Sequence, residues 1–347
     1  MGNPAHLAAK TTTGRFFQDY RLGEDIAHAT PRTLSGGERA LYHALYPART
    51  ALHSSDEFAR SCGLPASPFD DWLVFHTVFG KTVPDISLNA VANLGYAQGR
   101  WHRPVYPGDT LTAASTVIGL KPNSSGTSGI VWVRSEGRNQ RGEVVLDYVR
   151  WVMIKARDRA MPATTVPVLL SFVPADQLIV PPGLNFSRYD FALAGERHRW
   201  GDYAVGERID HVDGVTVEAA EPLLATRLWQ NTARVHFDAT ARADGRRLIY
   251  GGHVISLARA LAFNGLANAQ MVVALNGGSH ANPCFAGDTI RAWSEVLDRA
   301  ETAAPGVGAL RLRLVATKGA AFALKDPEGR HLPEVLLDLD YWALVPL

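Results

Sequence analysis

The sequence is short of cysteine, of charge of one sign and of long apolar runs, and each shortage closes a class of function. Only Cys62 and Cys284 occur, far apart, too few for a disulfide framework or a cysteine metal quartet and suited to a reducing compartment. Lys plus Arg number 35 against 34 acidic residues, a net charge of +1, so no basic surplus exists to neutralise a nucleic-acid backbone. No apolar run reaches the roughly 18 residues that span a bilayer. The N-terminal MGNPAHLAAKTTTGRFF lacks the apolar core of about 7–15 residues that marks a signal peptide. Myristoylation after Gly2 would need Ser or Thr where His6 stands. The expected setting is the cytoplasm, with neither membrane nor nucleic acid as partner.

Phosphate and metal motifs are missing as well. LSGGER (34–39) looks like the signature loop of transporter-type ATPases and FGKT (79–82) like the end of a phosphate loop. The Gly needed five residues before the GK pair is Phe75, however, and the two motifs stand in reversed order. No G-x-G-x-x-G follows a predicted strand, and neither G-x-S-x-G nor H-E-x-x-H occurs. The histidines show no ligand spacing that fixes a metal, and His211 with Asp213 reads equally as a turn. No cofactor and no metal are expected.

What is there is a repeat. The 347 residues suffice for about two domains, and the two halves align. Asp19, Tyr20, Gly23, Glu24, Ile26, His28 and His53 recur 183 positions later (202 − 19) as Asp202, Tyr203, Gly206, Glu207, Ile209, His211 and His236. Asn89 and Ala90 match Asn268 and Ala269, PVYPGDTL (104–111) matches PCFAGDTI (283–290), and EVVLDYVRW (143–151) matches EVLLDLDYW (334–342). Extra residues of the second copy fit a turn around Lys325–Gly329. The boundaries read as a unit over 1–156, a Pro-rich linker over 157–184 containing MPATTVPVLL and VPPG, and a unit over 185–347.

Each unit has the same order: a short strand, a mixed segment with the paired His, an apolar helical stretch, then several strands. TLTAASTVIGL, GIVWVRSEG and VVLDYVRWVMI alternate or run apolar between Gly, Asn and Asp turns and predict an antiparallel meander. In VISLARALAFNGLANA (254–269) Ile255, Ala258, Leu261, Ala262, Gly265, Leu266 and Ala269 fall at 3–4 spacing and predict one buried helix. The fold class is α+β, one long helix per unit wrapped by an antiparallel sheet.

RPVYPGDTL (103–111), NPCFAGDTI (282–290) and the segments ALYPARTALHSSDEFA and RLWQNTARVHFDA resemble the MaoC-like dehydratases, or R-specific enoyl-CoA hydratases. The resemblance covers nearly the whole chain. It implies two tandem hotdog units pairing as an intrachain pseudo-dimer, and hydration of an enoyl-CoA thioester. In that family an Asp five residues before a His binds and activates water; here Asn231 precedes His236 and Ala48 precedes His53. NTARVHFD (231–238) is similar to the Asn-x-x-Arg-x-His-aromatic-Asp variant of the branch acting on short branched dicarboxyl thioesters such as mesaconyl-CoA. Hydration to β-methylmalyl-CoA in the ethylmalonyl-CoA route is the implied reaction.

The reaction needs a base for water, an acid for the α-carbon and donors for an enolate oxygen. His236 suits the first two, its imidazole having an unperturbed pKa of about 6.5. Asn231 cannot be a base, but its amide can hold the water. Gly251, Gly252 and His253 precede the apolar helix, where free N–H groups offer an oxyanion hole, about 3 kcal/mol per donor. The first copy has Asp70 and Asp71 there, carboxylates that would repel an enolate and cap the amides themselves, so that copy is expected to shape the substrate tunnel and not to catalyse. Arg234 is expected to clamp the substrate carboxylate, or else to pair with Asp238. Arg242, Arg246 and Arg247 are placed to meet coenzyme A phosphates, or to lie in a solvated loop; Arg247 is taken with Gly251 and Arg234 as substrate-binding. His53, His28 and His211 read as structural. Three other functions stay open: a different enoyl-CoA hydratase, thioester hydrolysis through Asp70 or Asp71, and an acyl-CoA binding protein without turnover. Exposed sheet edges make a homodimer the expected assembly.

Overall fold

The computed structural model describes residues 10–158, 162–319 and 323–347; His6, and Met161 at the head of MPATTVPVLL, lie outside them. Alternation along the strands builds the sheet. In β3 (Thr110–Pro122), Leu111, Ala113, Ser115 and Val117 are buried while Thr112 and Ala114 face solvent, the pattern of a strand with one face on a core. The same half contributes β1 (Asp25–Thr33), β2 (Ala90–Trp101), β4 (Ser128–Arg138) and β5 (Val144–Lys155), and the second half β6 (Arg208–Thr216), β7 (Met271–His280), β8 (Thr289–Glu301), β9 (Val307–Lys318) and β10 (Val335–Pro346).

These ten strands form one antiparallel sheet in the order β1-β3-β4-β5-β2-β7-β10-β9-β8-β6. Read outward from the centre, the two halves have the same topology, so the sequence repeat is a structural one. The seam is the β2–β7 pair, running from Tyr96 opposite Gly278 to Arg100 opposite Ala274. Each half curls around one buried helix, Asp71–Ile86 in the first and Gly251–Leu261 in the second. Trp342 Nε1 donates to the Val173 carbonyl (3.0 Å) and Val173 N–H to Asn276 Oδ1 (2.8 Å), pinning the linker across the second half. Among the described residues no helix is long and apolar enough to cross a membrane.

One expectation is corrected. The 3–4 apolar spacing predicts a single helix through Ala269, but the helix ends at Leu261, and Asn264 (ψ 101°) and Gly265 (φ 98°) break the turn that follows. The cause lies in the repeated residues: His211 Nδ1 donates to the Asn264 carbonyl (2.7 Å) and Tyr203 OH to the Gly265 carbonyl (3.0 Å), drawing those carbonyls outward. A Cβ on Gly265 would also sit 2.8 Å from Ile209 Cγ2, so glycine supplies both the left-handed φ and the space. The first half uses the same pair differently. Tyr20 OH donates to the Ile86 carbonyl (2.7 Å) and His28 Nδ1 bonds Asp85 (2.8 Å) at an unbroken helix end. His28 and His211 each hold a serine, Ser115 and Ser294, at 2.8 Å on the other nitrogen.

Candidate active site

A cavity of about 400 Å³ opens at the seam, where Phe79 and Val83 of the first helix and Tyr96 of β2 face Asn231, His236 and His280 of the second half. The His236 segment reaches that place because Gly80 lets it. A Cβ on Gly80 would lie 1.8 Å from the Trp229 carbonyl, so only glycine admits the crossing backbone. That is the use of the FGKT glycine. Beyond the crossing, Asn231 Oδ1 accepts from Ala233 N–H (3.0 Å), an Asx turn that starts the single turn Arg234–His236. Leu248 N–H then bonds the Val235 carbonyl (2.9 Å) and closes the loop.

His236 is set for one protonation state. Its Nδ1 lies 2.7 Å from the Leu248 carbonyl, and since a carbonyl only accepts, Nδ1 carries the proton and Nε2 keeps its lone pair. Burial lowers its pKa to about 4, against the opposing pull of that carbonyl. At neutral pH the ring is therefore a neutral base. Tyr250 packs beside it, ring centroids 5.5 Å apart, and is the N-cap of the second helix without a side-chain cap. Among the described residues no side chain caps the helix start there, and Gly251 faces the cavity.

The expected residues fall into three places. His236, Asn231 and Gly251 line the cavity. Gly252 lies one residue deeper, where a Cβ would meet Tyr250 at 2.3 Å and His76 at 2.6 Å. Arg234 also lines this cavity, but it is exposed and donates to the Thr13 carbonyl (3.2 Å). It does not pair with Asp238, whose carboxylate caps Thr240 N–H at 2.8 Å. Arg246 and Arg247 line an adjoining cavity of about 180 Å³ that shares His236 and Tyr250. Arg247 donates to the Ala219 carbonyl (3.1 Å), Arg246 sits 3.9 Å from the centre of the Phe285 ring, and Arg242 pairs with Asp244 (2.7 Å).

A family model described as mesaconyl-CoA hydratase matches residues 5–321. The chain belongs to the mesaconyl-CoA hydratase family. It is 74% identical over 341 residues to a mesaconyl-CoA hydratase of Cereibacter sphaeroides, covering 97% of this chain and 99% of that one. It is 56% identical over 351 residues to a β-methylmalyl-CoA dehydratase of Chloroflexus aurantiacus, covering 98% and 99%. The crystal structure of a MaoC domain protein dehydratase from Chloroflexus aurantiacus superposes with a TM-score of 0.95 at 56% identity over 98% of this chain and 99% of that one. A double hotdog protein of Mycobacterium tuberculosis superposes at 0.76 with 27% identity, covering 96% and 98%. The fold is accordingly the double hotdog, and the MaoC-like resemblance holds.

In this member of the mesaconyl-CoA hydratase family the two His positions have separated in character. His53 is 3% exposed, with Nε2 2.9 Å from the Gln270 carbonyl and 3.6 Å from Asp71 Oδ2. Burial works against its charge, but the hydrogen bond and charge of Asp71 prevail and raise its pKa. Asp70 caps Trp72 N–H (2.9 Å) and Asp71 accepts from Val272 N–H (2.7 Å), so the carboxylates at this helix start are consumed inside the protein.

Sequence reasoning missed His280 and Tyr96. His280 lines the cavity with Nε2 3.1 Å from Tyr96 OH, and burial, then the neighbouring His236, lower its pKa to about 4. The available signal was asymmetry, because the repeat counterpart of His280 is Trp101. His280 also explains Gly251: a Cβ there would lie 2.4–2.6 Å from three atoms of the His280 ring. Gly251→Ala is expected to push that ring off Tyr96 and lower kcat/KM by about 10- to 100-fold, as angstrom-scale misplacement does, with the fold retained by circular dichroism. Unchanged kinetics would show that the ring position is immaterial.

Proposed function

We propose that the chain is a hydro-lyase that reversibly adds water to mesaconyl-CoA, giving β-methylmalyl-CoA, as a step of the ethylmalonyl-CoA pathway. The observation that carries this is His236: a neutral imidazole with its Nε2 lone pair free, in a cavity that also holds the uncapped start of the second helix. In hydration Nε2 takes a proton from water as the hydroxyl bonds the β-carbon, and the π electrons move onto the thioester oxygen. The Gly251 and Gly252 amides stabilise that enolate, Asn231 orients the water, and the imidazolium returns its proton to the α-carbon as the carbonyl reforms. The mesaconyl group follows from the names of the relatives at 74% and 56% identity.

The catalytic burden lies with the unit 185–347, while 1–156 supplies the facing wall through Phe79 and Tyr96 and 157–184 links the two. Arg247 and Arg246 suit the phosphates of coenzyme A, since both border the adjoining cavity. A small-molecule thioester is the partner, and the cytoplasm and a homodimer remain the proposed setting and assembly. The test is purified protein with mesaconyl-CoA, following loss of enoyl thioester absorbance and the mass gain of one water. Turnover to β-methylmalyl-CoA is expected. A preference for crotonyl-CoA would assign a different enoyl-CoA hydratase, and thermal stabilisation without turnover would assign a binding protein.

A further inference from the structure

Among the described residues three arginines line the cavity and the steps above leave them idle; Arg234 is engaged with the Thr13 carbonyl and Arg242 with Asp244, which leaves Arg150. Arg150 on β5 is 0% exposed, yet it lines the same cavity as His236. Its contacts are all neutral. Nη2 donates to Thr82 Oγ1 (2.7 Å) and approaches Ser87 Oγ (3.4 Å), Nη1 approaches the same Ser87 Oγ (3.4 Å), and the guanidinium lies 4.3 Å from the centre of the Phe79 ring. Nε is buried without an acceptor. Among the described residues no carboxylate forms an ion pair with it, although Arg134 on the neighbouring strand β4, and Arg311 and Arg313 on β9 of the second half, each have one.

A guanidinium remains a cation inside a protein, and a buried cation without a counter-ion is among the most costly groups a fold can carry. Its planar donors match a carboxylate in two-point geometry. Arg150 is tied to the catalytic wall by two routes. Across the β5–β2 pair it stands opposite Tyr96, whose hydroxyl holds His280. Beneath it, Phe79 packs on Tyr250 at 5.6 Å and Tyr250 on His236 at 5.5 Å. The second half has Tyr341 at the repeat position of Arg150, so the cation belongs to the wall that the first half presents to His236.

We infer that Arg150 is the carboxylate subsite of this cavity and the residue that selects a dicarboxyl acyl group, an inference resting on the proposed mesaconyl-CoA reaction. In mesaconyl-CoA the free carboxylate is attached to the β-carbon, the atom that receives the hydroxyl. Holding it on Arg150 supplies the missing counter-ion and fixes the β-carbon relative to the water on His236. Arg234, whose position in the sequence suggests the same task, lines the same cavity but is exposed to solvent and engaged with the Thr13 carbonyl, whereas Arg150 is fully buried.

The test compares kcat/KM on mesaconyl-CoA and on tiglyl-CoA, in which a methyl group replaces the carboxylate, for the parent, R150Q, R150K and R234Q. The parent is expected to prefer mesaconyl-CoA by about 100-fold or more, because a site built for a polar group rejects the analogue lacking it. In R150Q that preference collapses to within about threefold, mainly through KM, while R150K keeps part of it and R234Q keeps most. A parent that hydrates tiglyl-CoA as well as mesaconyl-CoA overturns the inference without any variant, so failure of R150Q to fold does not shield it. Mesaconyl-CoA turnover with an unchanged preference in R150Q overturns the Arg150 role and leaves the proposed reaction standing. Turnover of tiglyl-CoA with none of mesaconyl-CoA overturns both.

Discussion

His236→Ala is expected to lower kcat for mesaconyl-CoA hydration by about 10³-fold, within the range that positioned proton transfer supplies, with little change in melting temperature. The chemistry passes through Nε2 twice, once to take a proton from water and once to return it. The Leu248 carbonyl at 2.7 Å leaves no other tautomer for that task, and Asn231 has no basic lone pair to substitute for the ring. Because burial lowers the His236 pKa to about 4, the acid limb of kcat/KM should lie near pH 4, well below the ordinary histidine range near pH 6.5. Initial rates taken within seconds of a pH jump would measure it before the fold responds. His53→Ala should behave oppositely. It removes the partner of a buried carboxylate, Asp71, which typically costs about 3–5 kcal/mol of stability, while Nε2 of His236 still takes and returns its proton. A large kcat loss in His53→Ala with an intact fold, or a small one in His236→Ala, would reverse the assignment of the halves.

Much of this arrangement can be read from the chain because the repeat is strong. The matched Tyr and His pairs, Tyr20 with Tyr203 and His28 with His211, both bond the C-terminal end of their half's helix, at an unbroken end in the first half and at a broken turn in the second. The paired His53 and His236 could be ranked from what flanks them, since Asp70 and Asp71 stand at the start of the first helix, where the second helix starts with Tyr250 and Gly251. The helix break at Asn264–Gly265 is invisible to periodicity, because the apolar 3–4 spacing continues past it and the cause is a hydrogen bond from a distant strand. Arg234 is close to His236 in sequence but exposed, whereas Arg150, in the other half, is fully buried in the wall of the same cavity. Neighbourhood along the chain says little about depth. The unexplained departures from the repeat, Trp101 to His280 and Tyr341 to Arg150, mark two cavity residues that motif spacing passes over.

The fold is expected to lose stability steeply as the pH falls from about 6.5 towards 4. Burial holds His236, His280 and His211 neutral down to about pH 4 and His253 to about pH 3. In the unfolded chain each would titrate near pH 6.5. The unfolded state therefore binds more protons between these values, and stability falls as the pH drops from about 6.5, the loss being complete only below about pH 4. At pH 5 each of the three rings near 4 accounts for roughly 2 kcal/mol, against a total stability of order 5–15 kcal/mol. His53 has the opposite sign. Its raised pKa adds stability that is fully present below about pH 6.5 and is lost as pH rises through the folded value, so it offsets one of the four and cannot reverse the trend. Urea midpoints measured from pH 7.5 to 5 would show the slope. His211→Asn removes one proton-binding site from the unfolded state and should flatten that slope by about 1 kcal/mol per pH unit near pH 5, even though the lost bond to Asn264 lowers stability at pH 7.5. A midpoint independent of pH across this range would mean that these rings are hydrated enough to take their protons in the folded protein, and would remove the basis for a neutral His236 as well.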